Sequence, residues 1–149
     1  MAIGQGAGTE IIRSHMYENL NGTQTLIIGE PHHIYSVLSV IIHAVSLAAT
    51  TDYAFLQIVG WDAHDGTSGA TQRIFKQNIP ANSTFVWNDK FTFNGTEPTG
   101  ISGASGSVAH QTAIAAQETG GTAQYLQFDM SSTSDDFDVF VTFIDQNNS

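Results

Sequence analysis

The chain has 149 residues, four basic against fourteen acidic side chains, a formal net charge of −10 and no cysteine. That length suits one domain able to bury roughly two-thirds of its extended surface without a metal or disulfide staple. Thiol chemistry and cysteine-ligated zinc are excluded, and so large a negative charge repels a phosphate backbone and argues against nucleic-acid binding. Charged residues are only 12% of the chain, so its surface is neutral-polar, a character common to extracellular and virion proteins and to ordinary β-domains alike.

Residues 1–9 are Gly/Ala-rich, with neither a cationic start nor an apolar segment. They are expected to be a flexible arm and not a signal peptide. Glu10 to Leu20 fits neither the helical nor the strand period and is assigned with them to an arm over 1–20. A single domain is expected over 21–149. Asn21-Gly22 marks a turn, and Leu26 to Gly29 reads as a short strand closed by Glu30-Pro31.

His33 to Leu47 is rich in Val and Ile and predicts a long strand buried on both faces. The apolar run Ile34 to Ala49 is broken by Ser36, Ser39, His43 and Ser46. It is too short and too polar to span a bilayer, so no membrane association is expected. Tyr53 to Trp61 alternates as another core strand, and Ala48 to Asp52 is short enough to make a hairpin between the two.

Asp62 to Gly69 is a polar loop, and Thr71 to Gln77 a strand. Pro80 turns the chain into Phe85, Trp87, Phe91 and Phe93, interrupted at Asn88-Asp89-Lys90. Asn94 to Ser107 is a Gly/Ser/Thr-rich excursion. Val108 to Gln117 leans to strand, with Gly120-Gly121 turning into Tyr125 to Phe128. Phe137 to Ile144 places large apolar residues at alternate positions in a terminal strand. About eight evenly spaced strands and no required helix define the expected fold class: all-β, an antiparallel β-sandwich or jelly roll with a flexible N-terminal arm.

No constellation selects a chemistry. His32 and His33 are adjacent, so on a strand they face opposite sides. His64 lies beside Asp62 and Asp65, but no histidine pair has spacing that would share an ion. His43 sits in an apolar strand, where a satisfied histidine is the simpler reading. Asp135, Asp136 and Asp138 lack the glycine of a calcium loop. No serine occupies a Gly-x-Ser-x-Gly elbow, and Gly4-Gln5-Gly6-Ala7-Gly8 follows no strand. No catalytic, cofactor-binding or metal residue is therefore assigned, and the chain is read as not an enzyme. Trp61 and Trp87 could fill a sandwich core or sit at a subunit interface, where tryptophan is enriched.

Three segments carry a resemblance: the apolar strand pair from His33 to Val59, the Ile79-Pro80-Ala81-Asn82-Ser83 turn leading to Phe93, and the terminal Val139-Phe140-Val141-Thr142-Phe143 strand. Together, over about two-thirds of the chain, the sequence resembles bacteriophage virion structural β-sandwich proteins, in particular capsid cement (decoration) proteins. Asn94-Gly95-Thr96-Glu97-Pro98 departs from that pattern, and the Gly/Ser-rich stretch after it is longer than expected.

The resemblance implies a protein on the outer surface of the virion, commonly a homotrimer, that holds neighbouring major capsid proteins together without a cofactor. Ile11, Ile12, Arg13, Tyr17, Trp61 and Trp87 are the expected capsid or subunit contacts. The alternative is a tail or fibre module recognising a host glycan through Trp61, His64 and the 99–107 loop.

Overall fold

The computed structural model describes residues 8–60, 70–98 and 121–147. The described residues form eleven strands, all pairing antiparallel. They are β1 (Glu10–Leu20), β2 (Gln24–Ile28), β3 (His33–Ser46), β4 (Ala54–Val59), β5 (Thr71–Gln77) and β6 (Thr84–Trp87). Then come β7 (Phe91–Asn94), β8 (Thr96–Pro98), β9 (Gly121–Ala123), β10 (Tyr125–Met130) and β11 (Asp136–Asn147).

One sheet runs β1-β11-β3, with β6 and then β7 lying end to end along the far side of β3. The other runs β2-β10-β4-β5, and β8 pairs with β9 in a small ribbon. The expected all-β antiparallel sandwich is the observed architecture.

β11 shows why the sequence folds this way. Its side chains alternate without a break, Phe137, Val139, Val141 and Phe143 fully buried and the residues between them half-exposed. A period of two with branched and aromatic residues on one parity is what a half-buried strand requires. Beside them in the same sheet lie Tyr35, Val37, Val40 and Ile42 of β3, and across the core Leu26, Leu56, Leu126 and Phe128 of the opposite sheet. Each such side chain contributes about 1.5–3 kcal/mol on burial.

Aromatic pairs tie the two layers together. Phe128 meets Phe137 edge-on at 5.6 Å, and Phe75 of β5 meets Phe85 and Trp87 of β6 at 5.1 and 5.3 Å.

Several expectations change. Glu10–Leu20, assigned to an arm, is strand β1, in unbroken register with β11 from Glu10 to Tyr17. Its inward residues are Arg13, His15 and Tyr17, which satisfy polar groups rather than fill a greasy core, so no apolar period betrays it. Ala48 to Asp52 is no hairpin: β3 and β4 lie in different sheets, and this segment crosses between them. The crossing is pinned by carboxylates, with Ala48 N–H donating to Asp135 at 2.7 Å and Ala49 N–H to Asp52 at 2.8 Å. β3 is buried on one face and not on both. Gly121, read as part of a turn, lies in β9. The expected strand over Val108 to Gln117 and the polar loop from Asp62 fall outside the described residues.

The Pro80 turn behaves as expected. Ser83 N–H returns to the Pro80 carbonyl at 3.0 Å, and Asn82 takes a φ of 64°, which asparagine tolerates. Asn82 N–H and the Ser83 carbonyl then pair with Ala44 on β3, which seats β6 in register.

Candidate assembly surface

The inner side of β1 is a polar network. The Asp145 carboxylate, buried on β11, accepts from Arg13 at 3.0 Å and from His33 Nδ1 at 2.6 Å. A carboxylate only accepts, so His33 Nδ1 carries the proton. His33 Nε2 lies 3.5 Å from Glu30. The His15 ring stands edge-on to Phe143 at 5.2 Å, and its Nδ1 lies 2.8 Å from the Leu26 carbonyl. Tyr17 donates to the same carbonyl at 3.2 Å, and burial pushes its phenol up from the ordinary value. The Tyr35 phenol is pushed up to about 12, first by burial and then by the negative charges of Asp145 and Glu30. These contacts hold β1, in one sheet, against β2, in the other.

The outer side is different. Directly paired residues on neighbouring strands share a face. Met16 pairs with Phe140, Phe140 with Ile41, and Ile41 with Val86. This is an apolar row across four strands, from the β1 edge to β6. A second, shorter row joins Ile12 to Ile144. Ile12, Met16 and Val86 are 71%, 58% and 52% exposed. Between the rows Ser14 and Thr142 hydroxyls meet at 3.3 Å. His43, in the next row, lies 2.9 Å from the Thr84 hydroxyl, so it has a partner on this face. Exposed apolar residues gathered into one contiguous surface mark contact sites more often than scattered ones.

The residues expected at an interface separate. Ile12 belongs to the exposed outer face. Ile11 is 44% exposed beside it in sequence but on the opposite parity. Arg13 and Tyr17 turn inward to Asp145 and Leu26. Trp87 packs against the core beside Phe75, with its indole N–H buried and without a partner among the described residues. Trp61 and His64 lie outside the described residues. Met16, Ile41, Val86, Phe140 and Ile144 share the outer face and were not among the expected contacts. For Ile41, Val86 and Phe140 the signal was present in Val40-Ile41-Ile42, Phe85-Val86-Trp87 and Val139-Phe140-Val141, where both parities of a strand are apolar.

The opposite sheet carries two of the four cations, both on β5. Arg73 lies 4.1 Å over the Phe55 ring, and the Lys76 ammonium lies 3.8 Å over Tyr53. Both charges rest on aromatic faces, which stabilises exposed pairs by about 0.5–1 kcal/mol each. No group of three or more metal-ligating His, Asp or Glu side chains occurs among the described residues.

At the crossing between β3 and β4, Asp135 is fully buried, and one of its oxygens has no hydrogen-bond partner among the described residues. Burial, and then the neighbouring Asp52 carboxylate, raise its pKa, against the lowering effect of the Ala48 N–H. The folded state therefore holds this proton at a pH where the unfolded chain has lost it. Stability from this group falls as pH rises through that window. Asp135→Asn keeps the acceptor for Ala48 and supplies a donor for Asp52. It is expected to raise the melting temperature at neutral pH and to flatten its fall from acid to neutral pH, as read by thermal unfolding across that range.

No protein-family model and no curated protein matches the sequence. Among solved structures, the chain is similar to a protein of Bacillus endospore appendages, described as disulfide-linked pili. The identity is 11%, covering 100% of this chain and 96% of that one, with a TM-score of 0.42. It is similar to a chain of the infectious bursal disease virus Gx strain at 10% identity and TM-score 0.46, covering 100% of this chain but only 37% of that one. A chain in the capsid of Helicobacter pylori bacteriophage KHP30 is similar at 10% identity and TM-score 0.40, covering 97% and 92%.

Proposed function

We propose that the chain is a virion structural protein, and specifically a capsid cement protein that stabilises contacts between major capsid proteins. The observation that supports this reading most is the sandwich's outer face. The apolar row from Met16 to Val86 leaves the outer face of one sheet ready to be covered. The strand and turn pattern shared with phage virion proteins supports it, and so does the charge of −10, which suits a position away from packaged DNA. Many copies on a shell make modest single contacts sufficient, because binding of one module raises the effective concentration of the next. A homotrimer on the outer surface of the shell is part of the same proposal.

Residues 1–7, ahead of the Gly8 and Thr9 backbone bonds to Asn147, are proposed as the segment that reaches a neighbouring capsid subunit. A chain cut before Gly8 is expected to keep its melting temperature and to bind shells about tenfold more weakly in co-sedimentation, a loss of about 1.4 kcal/mol. Equal binding would remove the arm from the proposal. Cryo-EM of particles of the virus that encodes the chain tests the placement. Knobs on the shell support cement, density confined to a tail or fibre turns the reading to glycan adhesion, and absence from the particle overturns both.

A further inference from the structure

β1 is the edge of its sheet among the described residues, with β11 on its other side. Native edge strands are usually blunted by Lys, Pro, a central bulge or an inward-pointing charge. Ile11 to Tyr17 contains no Lys and no Pro, and its register with β11 is unbroken. Its one formal charge, Arg13, does point inward, but Asp145 pairs with it and leaves no net charge for an added strand to bury. Irregularity begins only after Tyr17, where Asn19 takes a φ of 56°. This is a straight, pairable edge with exposed Ile12 and Met16 beside it.

We infer that this edge pairs antiparallel with β1 of a second copy of the chain, about a two-fold axis through Ser14, joining two sheets into one. The register follows from the residues. A two-fold axis perpendicular to the sheet keeps outer faces outward, so facing residues must be of the same parity. The regular segment Glu10 to Tyr17 leaves two centres that use most of its length, Arg13 and Ser14. An axis at Arg13 sets two guanidinium groups against each other and Ile12 against serine. An axis at Ser14 sets Ile12 against the partner's Met16, twice, with the two serine hydroxyls on the axis.

In that register the row Val86, Ile41, Phe140, Met16 runs on into the partner's Ile12 and Ile144, and the same row returns on the other side of the axis. Such self-complementarity is a requirement of a two-fold contact and of no other partner. Charge agrees with the choice. On a chain of net −10, β1 carries two glutamates and one arginine, so two copies meet where repulsion is small. Glu10 facing the partner's Glu18 opposes association at the two ends, so added salt is expected to strengthen it. The contact is distinct from a three-fold cement contact and stands whether or not the chain belongs to a shell.

The absence of cysteine makes the test clean. Directly opposed Cα atoms in an antiparallel pair lie about 4.5–5.5 Å apart, within disulfide reach. Ser14→Cys in the full chain is expected to form a disulfide-linked dimer under mild oxidation about tenfold faster than Glu18→Cys, whose partner position is Glu10. The unmodified chain is expected to show a dimer in sedimentation velocity and a melting temperature that rises with concentration, and Ile12→Lys to return it to a folded monomer whose melting temperature does not. Cross-linking at Ser14→Cys no faster than at Glu18→Cys overturns the proposal. So does a chain that stays monomeric at every concentration tested.

Discussion

Gly29→Ala is expected to destabilise the protein by about 3 kcal/mol or more, beyond the usual cost of an added methyl in a packed site. Gly29 N–H donates to the Gln124 carbonyl at 2.8 Å. A Cβ there would run into the backbone oxygens of Gly95 and Gln124. Gln124 N–H in turn donates to the Gly95 carbonyl at 3.0 Å, and Gly95 N–H to His33 at 2.8 Å. This ring of main-chain bonds joins the end of β2 to the start of β3 and the entry to β10. None of its members can step aside as a side chain could. Gly95→Ala should behave alike, because its Cβ would meet the Glu30 carbonyl. Gly22→Ala is the control: its Cβ meets nothing, and the change should be neutral or slightly stabilising, by up to about 1 kcal/mol. Urea unfolding of the three variants reads the contrast directly, and equal costs at Gly29 and Gly22 would show that the close approach is not real.

Asp145→Ala carries the second large effect, a loss of about 2–3 kcal/mol. Removing one member of a fully buried ion pair costs about 3–5 kcal/mol because the other is stranded. Here the stranded Arg13 is 42% exposed and can reach water, which lowers the figure. The reciprocal change, Arg13→Ala, leaves Asp145 with His33 and should cost about 1 kcal/mol, in the range of exposed pairs. Asp145→Asn should fall between, since its carbonyl oxygen still accepts from His33. A double-mutant cycle on Arg13 and Asp145 by urea unfolding measures the pair apart from the histidine bond. An Asp145→Ala cost no larger than that of Arg13→Ala would mean that the carboxylate does not hold two partners.

Strands with one strong parity were readable in the residues. β5 falls on Thr71–Gln77 as expected, and β11 follows its alternating Phe and Val. β1 was not readable, because its inward side chains are Arg13, His15 and Tyr17. Their value lies in Asp145, Phe143 and the Leu26 carbonyl, partners brought from remote parts of the chain. The crossing at Ala48 to Asp52 was mistaken for a hairpin because segment length alone does not say whether a chain turns back within a layer or passes to the facing one. Of the assembly surface, Ile12 was legible as an apolar residue near the start. The longer row was hidden: Met16 lay in the segment assigned to the arm and Ile41 in the run read as buried on both faces, and only the cross-strand register shows that Met16, Phe140, Ile41 and Val86 stand in line.

The position of β11 also sets the order in which this molecule can be made. It lies between β1 and β3, so those two strands have no bond to one another until residues 136–147 exist. A ribosome delivers β1 and β3 long before it delivers the strand that joins them. Until then β3 waits with an unpaired side rich in valine and isoleucine, a ready template for a wrong partner. Such long-range closure makes folding slow. Expression yield should therefore depend more on temperature and on chaperone supply during synthesis than on the stability of the finished sandwich.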